Sequence, residues 1–231
     1  MLVFRLTDEL IFPDPGWGTA EGLLAVGGDL SPERLILAYS LGIFPWYGED
    51  EPILWWSPDP RCVLIPENVY VSRRLDRIIR QGRFRLTCNR AFEQVVEACA
   101  KVRVDKGEET WLIAEMQVAY HKLHELGFAH SVEAWCGDEL VGGLYGVALG
   151  KFFFGESMFH YQTNASKVIL VQLARYLEKE GFVLFDCQVP NPHLIRMGAN
   201  HISREDFLEC LAIGGLGVDG VMEKVVFPEV L

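Results

Sequence analysis

The rhythm of hydrophobic and polar positions along the 231-residue chain changes near residue 60. Beyond that point short apolar runs alternate with helical periods. RCVLI at 61–65 reads as a buried strand, and RFRLTC at 83–88 alternates like a half-buried one. Ser72 stands where it can cap a helix over 73–81, and Asn89 where it can cap the next, because a side-chain oxygen there accepts from first-turn N–H groups. Met116, Tyr120, Leu123 and Leu126 recur at helical spacing and stop at Gly127. Three strand-like runs follow: HSVEAW at 130–135, ELVGGLYGVAL at 139–149 after a Gly137-Asp138 turn, and KFFFGESMF at 151–159. A helix over 165–180, capped by Asn164 and stopped by Gly181, leads into the apolar run FVLFDCQV at 182–189.

Residues 1–60 have another texture, rich in Gly, Pro and Trp with one clear helix: Ser31 caps it, Pro32 opens it and Gly42 follows its end. GIFPW at 42–46 and WWSPDP at 55–60 read as turn-rich segments with exposed aromatics. The pattern predicts an α+β protein, a small N-terminal lobe (1–60) packed on a larger domain (61–231). An antiparallel meander followed by helix and strand makes that domain reminiscent, by analogy of topology, of acetyltransferase-like (GNAT-like) folds, a mixed sheet with flanking helices. Half of the residues are apolar and 12% aromatic, enough for a core and incompatible with a disordered chain. The six cysteines form no CxxC pair and no metal-ligand spacing, so they read as reduced, mostly buried thiols. With no basic-flanked apolar leader and no run of about 18 apolar residues, a cytoplasmic protein without membrane contact is expected.

Charge complicates the picture. The net of −11 argues against a nucleic-acid partner for the chain as a whole. Yet residues 71–90 hold seven of the 14 arginines against one acid, Asp76, so this stretch is +6 and the rest −17. On the helix there, Arg73, Arg77 and Arg80 share one face while Leu75, Ile78 and Ile79 can turn inward. A solvated charged face is the ordinary reading of such a run. An anion site is the alternative, since clustered guanidinium groups of one sign suit phosphate.

Two further features carry chemistry. Trp46 and Trp56 lie in loops where a core role is less compelling, and exposed indoles beside a basic face can stack on unpaired bases; Trp55 and Trp56 are better explained as clamping the lobe. The apolar run Phe152–Phe154 leads directly into Gly155, Glu156 and Ser157, and a glutamate there needs a partner. Asp186 and Gln188 sit two apart on a buried strand, on one face, with Cys187 on the other. A carboxylate beside an amide can orient an amine nucleophile and accept its proton, while a satisfied core network is the bland alternative. His121 and His124, at i and i+3 without a third ligand, read as surface residues and not a metal site. No GxSxG, HExxH, Walker A or dinucleotide fingerprint is present.

Taken in order, EGLLAVGGDLSPERL at 21–35, GIFPW, ILWWSPDPR at 53–61, EETW at 108–111, AYHKLHELGFAHSVEAW at 119–135, LVGGLYGVALGKFFFGESMF at 140–159, NASK at 164–167 and FDCQVPNPHLIRMGA at 185–199 resemble the bacterial leucyl/phenylalanyl-tRNA-protein transferases. The resemblance runs from about Phe12 to Phe207. It implies an aminoacyltransferase of the N-degron pathway that moves Leu, Phe or Met from aminoacyl-tRNA onto proteins beginning with Lys or Arg. It implies no cofactor and no metal, because the ester is already activated. Trp46 and Trp111 fall where the family stacks the terminal adenosine, and Arg73, Arg77 and Arg80 where it grips the acceptor stem of the tRNA. Leu144, Phe153, Gly155, Glu156, Ser157, Leu170, Leu173, Leu177 and Phe185 fall around the amino-acid pocket. Asp186 and Gln188 fall at the catalytic pair, Gln188 contacting the acceptor amine and Asp186 polarising or deprotonating it.

Two other readings compete. An acetyl-CoA-dependent N-acetyltransferase needs a Gly-rich turn before the long helix, and HYQTNASK at 160–167 has no glycine. An RNA-binding module explains the arginines and tryptophans but leaves Glu156, Asp186 and Gln188 without a task.

Overall fold

The computed structural model describes residues 3–105, 107, 110–217 and 224–231. Glu108 and Glu109 of the EETW run lie outside the described residues. Residues before 60 form β1 (Phe4–Leu6), β2 (Leu23–Gly27), α1 (Pro32–Ser40), β3 (Phe44–Pro45) and β4 (Leu54–Trp56), and the four strands make one sheet in the order β1-β2-β4-β3. The segments read as turns around GIFPW and WWSPDP thus contain two paired strands, Phe44 opposite Trp56 and Pro45 opposite Trp55. Strands of two and three residues, broken by Gly and Pro, are too short to display a period of two. Ser31 caps α1 as expected, its hydroxyl accepting from the Arg34 N–H at 3.4 Å.

The remaining elements are β5 (Arg61–Leu64), α2 (Arg73–Arg80), β6 (Arg85–Cys88), α3 (Phe92–Asp105), α4 (Ala114–Glu125), β7 (Ala129–Cys136), β8 (Glu139–Leu149), β9 (Phe152–His160), α5 (Ala165–Lys179), β10 (Leu184–Gln188), α6 (Pro192–Arg196), β11 (Asn200–Ile202) and α7 (Arg204–Ile213). Their seven strands order as β11-β5-β10-β9-β8-β7-β6, antiparallel throughout except for β9 beside β10. The predicted α+β fold, meander then helix then strand, is the fold observed.

Two of the expected caps are not made. Asn89 takes a left-handed conformation (φ 58°) and its Oδ1 accepts from the Ser131 N–H of β7 at 3.1 Å, not from the helix it was expected to cap. The fully buried carboxylate of Glu133 stands at the start of α3 instead, 3.5 Å from the Ala91 N–H, where an anion suits the helix dipole. Asn164 is also left-handed (φ 74°) and makes no side-chain cap to α5.

One hydrophobic cluster joins Leu24 and Trp55 of the first sheet and Tyr39 of α1 to Tyr145 and Phe154 of the second sheet and Phe92 and Met116 of the helices α3 and α4. The lobe and the large sheet therefore share a core on one face, and a second cluster under α5 fills the other. Four of the six free cysteines are buried, Cys136 is exposed and Cys210 is half-buried. No helix among the described residues is long and apolar enough to cross a membrane.

Candidate active site

The site lies where β9 and β10 part. Their parallel pairing holds from Phe152 opposite Leu184 to Phe154 opposite Asp186, and the two strands then diverge. Each strand carries an irregularity at this point. On β9, Ser157 faces Tyr145 and Gly155 faces Gly146 of β8, so Glu156 is the extra residue of a bulge. On β10, Asp186 faces Val63 and Gln188 faces Cys62, which makes Cys187 the extra residue there, and Gln188 is left-handed at φ 61°. Bulges re-aim side chains, and this pair turns Glu156 and Gln188 toward each other: Gln188 Nε2 donates to Glu156 Oε1 at 2.8 Å. Gly155 permits the packing below, since a Cβ there would come within 2.5 Å of the Phe185 ring.

Glu156 is held on three sides. Tyr39 from the lobe donates to Oε1 at 2.8 Å, and Tyr120 of α4 to Oε2 at 2.6 Å. Burial raises its pKa from 4.5 to about 7; the hydrogen bonds from Tyr120, Tyr39 and Gln188 pull the other way, while the charge of Asp186 adds to the rise. Burial and the neighbouring carboxylate push both tyrosine hydroxyls well above their ordinary value, so they stay protonated donors.

Asp186 is fully buried and does not reach the cleft surface. Arg61, equally buried, grips it through Nε to Oδ1 at 2.9 Å and Nη2 to Oδ2 at 2.6 Å. Oδ1 also accepts from the Gln188 backbone N–H at 2.9 Å, which holds the left-handed turn in place. Arg61 is further fixed by the Gly42 carbonyl at 3.1 Å and by the rings of Phe44 and Phe207, 4.9 and 4.5 Å away. The sequence reading passed over Arg61, Tyr39 and Tyr120. An arginine opening a buried strand was the available signal for the first; the tyrosines, far away in sequence, offered none.

Above this network lies a cleft of about 320 Å³ lined by Trp46, Trp111, Leu144, Gly155, Glu156, Ser157, Phe185 and Gln188, together with Arg103, Met158, Asn191 and His193. Trp46 is 43% exposed and packs at 5.8 Å against Trp56, whose Nε1 donates to the Trp46 carbonyl. Trp111 stands edge-on to Tyr120 at 6.3 Å. Trp55 is buried in the lobe, as its clamping reading required. Of the other residues assigned to the amino-acid pocket, Phe153, Leu170, Leu173 and Leu177 are fully buried in the cluster beneath Phe185 and do not line the cleft.

The arginines of residues 71–90 divide. Arg73, Arg77 and Arg80 line a shallow depression on α2, where Arg80 is paired with Asp76, while Leu75 is buried and Ile78 and Ile79 are half-buried. Arg83 lies over Phe84, and Arg85 and Arg90 over Trp135, away from that face. His121 and His124 are not the surface residues expected from their spacing: His124 stacks on Phe92 at 4.0 Å and His121 meets the same ring edge-on at 5.9 Å. No group of metal-ligating side chains occurs among the described residues.

Residues 63–212 match the model of the family described as leucyl/phenylalanyl-tRNA protein transferase, and residues 28–59 match the model of its N-terminal domain. The leucyl/phenylalanyl-tRNA–protein transferase of Syntrophobacter fumaroxidans is 58% identical over 92% of this chain and 91% of its own. That of Syntrophotalea carbinolica is 52% identical over 99% of both. Among solved structures FemX aligns loosely, with a TM-score of 0.47 and 10% identity over 74% of this chain and 66% of its own. The chain belongs to the leucyl/phenylalanyl-tRNA protein transferase family of aminoacyltransferases.

Proposed function

We propose that the cleft joins Leu, Phe or Met, carried as the 3′ ester of a tRNA, to the α-amine of proteins beginning with Lys or Arg, marking them for degradation. The observation that carries this reading is the Gln188–Glu156 pair at the floor of a cleft walled by Trp46 and Trp111. The indoles offer stacking for a terminal adenine, each stack worth roughly 1–3 kcal/mol. Leu144, Gly155, Ser157 and Phe185 offer an apolar bed for the amino-acid side chain, with Phe153, Leu170, Leu173 and Leu177 as its rigid backing. The same reading divides the chain into a lobe (1–60) and a catalytic domain (61–231), and assigns it to the cytoplasm, which suits its free cysteines.

In the reaction the amine nitrogen attacks the ester carbonyl. The C–N bond forms, the C–O bond to the ribose breaks, and the proton lost from nitrogen ends on the ribose hydroxyl. Gln188 gives its amide N–H to Glu156, which leaves Oε1 to accept a hydrogen bond from the amine and aim its lone pair. Asp186, enclosed by Arg61 and the Gln188 N–H, works as a positioning residue. Orientation of this kind supplies up to ~7–11 kcal/mol of the barrier, enough for an activated ester.

Labelled Phe-tRNA incubated with a peptide beginning in Arg, beside the same peptide beginning in Ala, tests the reading. Label on the Arg peptide alone is expected; label on neither, or arriving from acetyl-CoA, would overturn it. Changing Arg73, Arg77 and Arg80 to Gln should weaken tRNA binding and lower its salt dependence by about one logarithmic unit for every phosphate no longer neutralised. Because Arg80 is already engaged by Asp76, Arg73 and Arg77 should account for most of the loss. Unchanged affinity and slope would remove this face from tRNA binding.

A further inference from the structure

Between the cleft and the α2 face lies a second concavity, of about 420 Å³, lined by Ser72, Arg74, Asn164, Lys167, His193 and Arg196 among others. It has a wall in common with each neighbour: His193 also lines the cleft, and α2 supplies Arg74 here, beside its capping residue Ser72, and Arg73 and Arg77 to the depression beyond. Arg74, Lys167 and Arg196 make no ion pair among the described residues, although the chain as a whole is strongly acidic. Lys167 and Arg196 converge on His193, whose pKa is lowered by burial and then by their charges and that of His160, and Arg74 lines the same concavity. Nε2 of His193 is buried without a hydrogen-bond partner among the described residues. The N-terminus of the 15-residue helix α5 forms part of the wall, and its first turn has no side-chain cap. Cations, an N–H-capable imidazole and a helix start make a site for a singly or doubly charged oxyanion.

We propose that this concavity holds the phosphodiester backbone of the single-stranded 3′ end of the donor tRNA, immediately upstream of the terminal adenosine, through Arg74, Lys167, His193 and Arg196. The assignment of the occupant rests on the aminoacyl-transfer reading of the cleft. Because His193 lines both the cleft and this concavity, a strand whose last base stacks on Trp46 or Trp111 has a path past His193 toward the α2 face. Its site therefore adds affinity for any tRNA without reading sequence, because it meets only backbone.

The test compares the protein with its Lys167→Gln/Arg196→Gln variant, using Phe-tRNA and, as a donor without upstream phosphates, 3′-O-phenylalanyl adenosine. For Phe-tRNA the KM of the variant should rise about tenfold with kcat nearly kept, and the salt slope should fall by about 0.7 for each phosphate that the variant no longer neutralises. Phenylalanyl adenosine should be used by the variant as it is by the unaltered protein. The charge-keeping variant Lys167→Arg/Arg196→Lys should restore most of the tRNA KM. An unchanged KM for Phe-tRNA, or equal loss with both donors, overturns the proposal. Calorimetry separates it from the parent reading: the unaltered protein should bind the trinucleotide CCA more tightly than adenosine, and the Gln variant should lose that difference. If CCA gains nothing over adenosine, or coenzyme A gains as much, the site is not one for nucleic-acid backbone. If the CCA difference is present and lost in the variant while no peptide accepts Phe, the phosphate site stands and the transfer reading falls.

Discussion

Asp186→Asn is expected to unfold at markedly lower denaturant and to transfer amino acid slowly, although its side chain never faces substrate. The change keeps the shape and removes the charge that neutralises Arg61, a guanidinium as deeply buried as its partner. Removing one member of such a pair costs about 3–5 kcal/mol, because the other is left buried and uncompensated. The loss of turnover follows from a different contact: a neutral amide holds the Gln188 N–H less firmly, and Gln188 needs that hold to keep a left-handed turn that costs about 1–3 kcal/mol in a residue other than glycine. The two effects separate in the double variant Arg61→Met/Asp186→Leu. Apolar replacement of the whole pair should recover most of the lost stability without recovering transfer, since nothing then holds the turn. Urea unfolding and single-turnover rates check both halves. An Asp186→Asn variant with unaltered midpoint and rate would mean that the pair anchors nothing.

Glu156→Gln should lower the transfer rate by about 10²-fold at pH 8 and abolish the dependence of that rate on an ionisation near pH 7. As a carboxylate, Glu156 can only accept, so the Gln188 amide must present its N–H inward and its oxygen to the cleft. Once protonated, Glu156 can donate, the amide can turn over, and the acceptor amine meets an N–H in place of a lone pair. The rate should therefore rise through pH 7 in the unaltered protein. In the variant only the amine's own ionisation, near 7.7–8.0 for an ordinary N-terminus, should remain. Stability runs in the opposite direction. The folded pKa of about 7 lies above the unfolded 4.5, so between these values the folded protein keeps a proton that the unfolded chain has released. Stability then falls as pH rises through the window, by something on the order of 2–4 kcal/mol, and Gln at 156 should flatten that slope. Retention of the limb near pH 7 in both profiles would assign it to some group other than Glu156.

The sequence disclosed the elements far better than it disclosed the site. Strands β7 to β10 and helices α1, α2, α4 and α5 were legible because their apolar positions repeat and their ends carry Ser, Pro or Gly. β3 and β4 were not, being too short to show a period. Glu156, Asp186 and Gln188 stood out as polar residues inside apolar runs, but their relation did not. Strict alternation placed Asp186 and Gln188 on one face of a regular strand, whereas the bulge gives Gln188 to the cleft and leaves Asp186 to Arg61. A bulge adds one residue to one strand, and no local composition announced it here. Tyr39 and Tyr120 reach Glu156 from 117 and 36 residues away, a distance over which no pattern in the chain carries information.

The hydroxyl of Tyr39 has a consequence for how such proteins can be divided. It arises from the first helix, crosses the shared core and ends on the carboxylate at the heart of the other sheet. A fragment beginning at residue 61 would keep every strand of that sheet yet lose one of the donors that tune Glu156, together with the indole of Trp46. The amino-terminal piece is thus no detachable cover, since it supplies one of the hydrogen bonds that hold Glu156. A chimera that borrows those residues from a relative inherits that relative's acidity profile along with them.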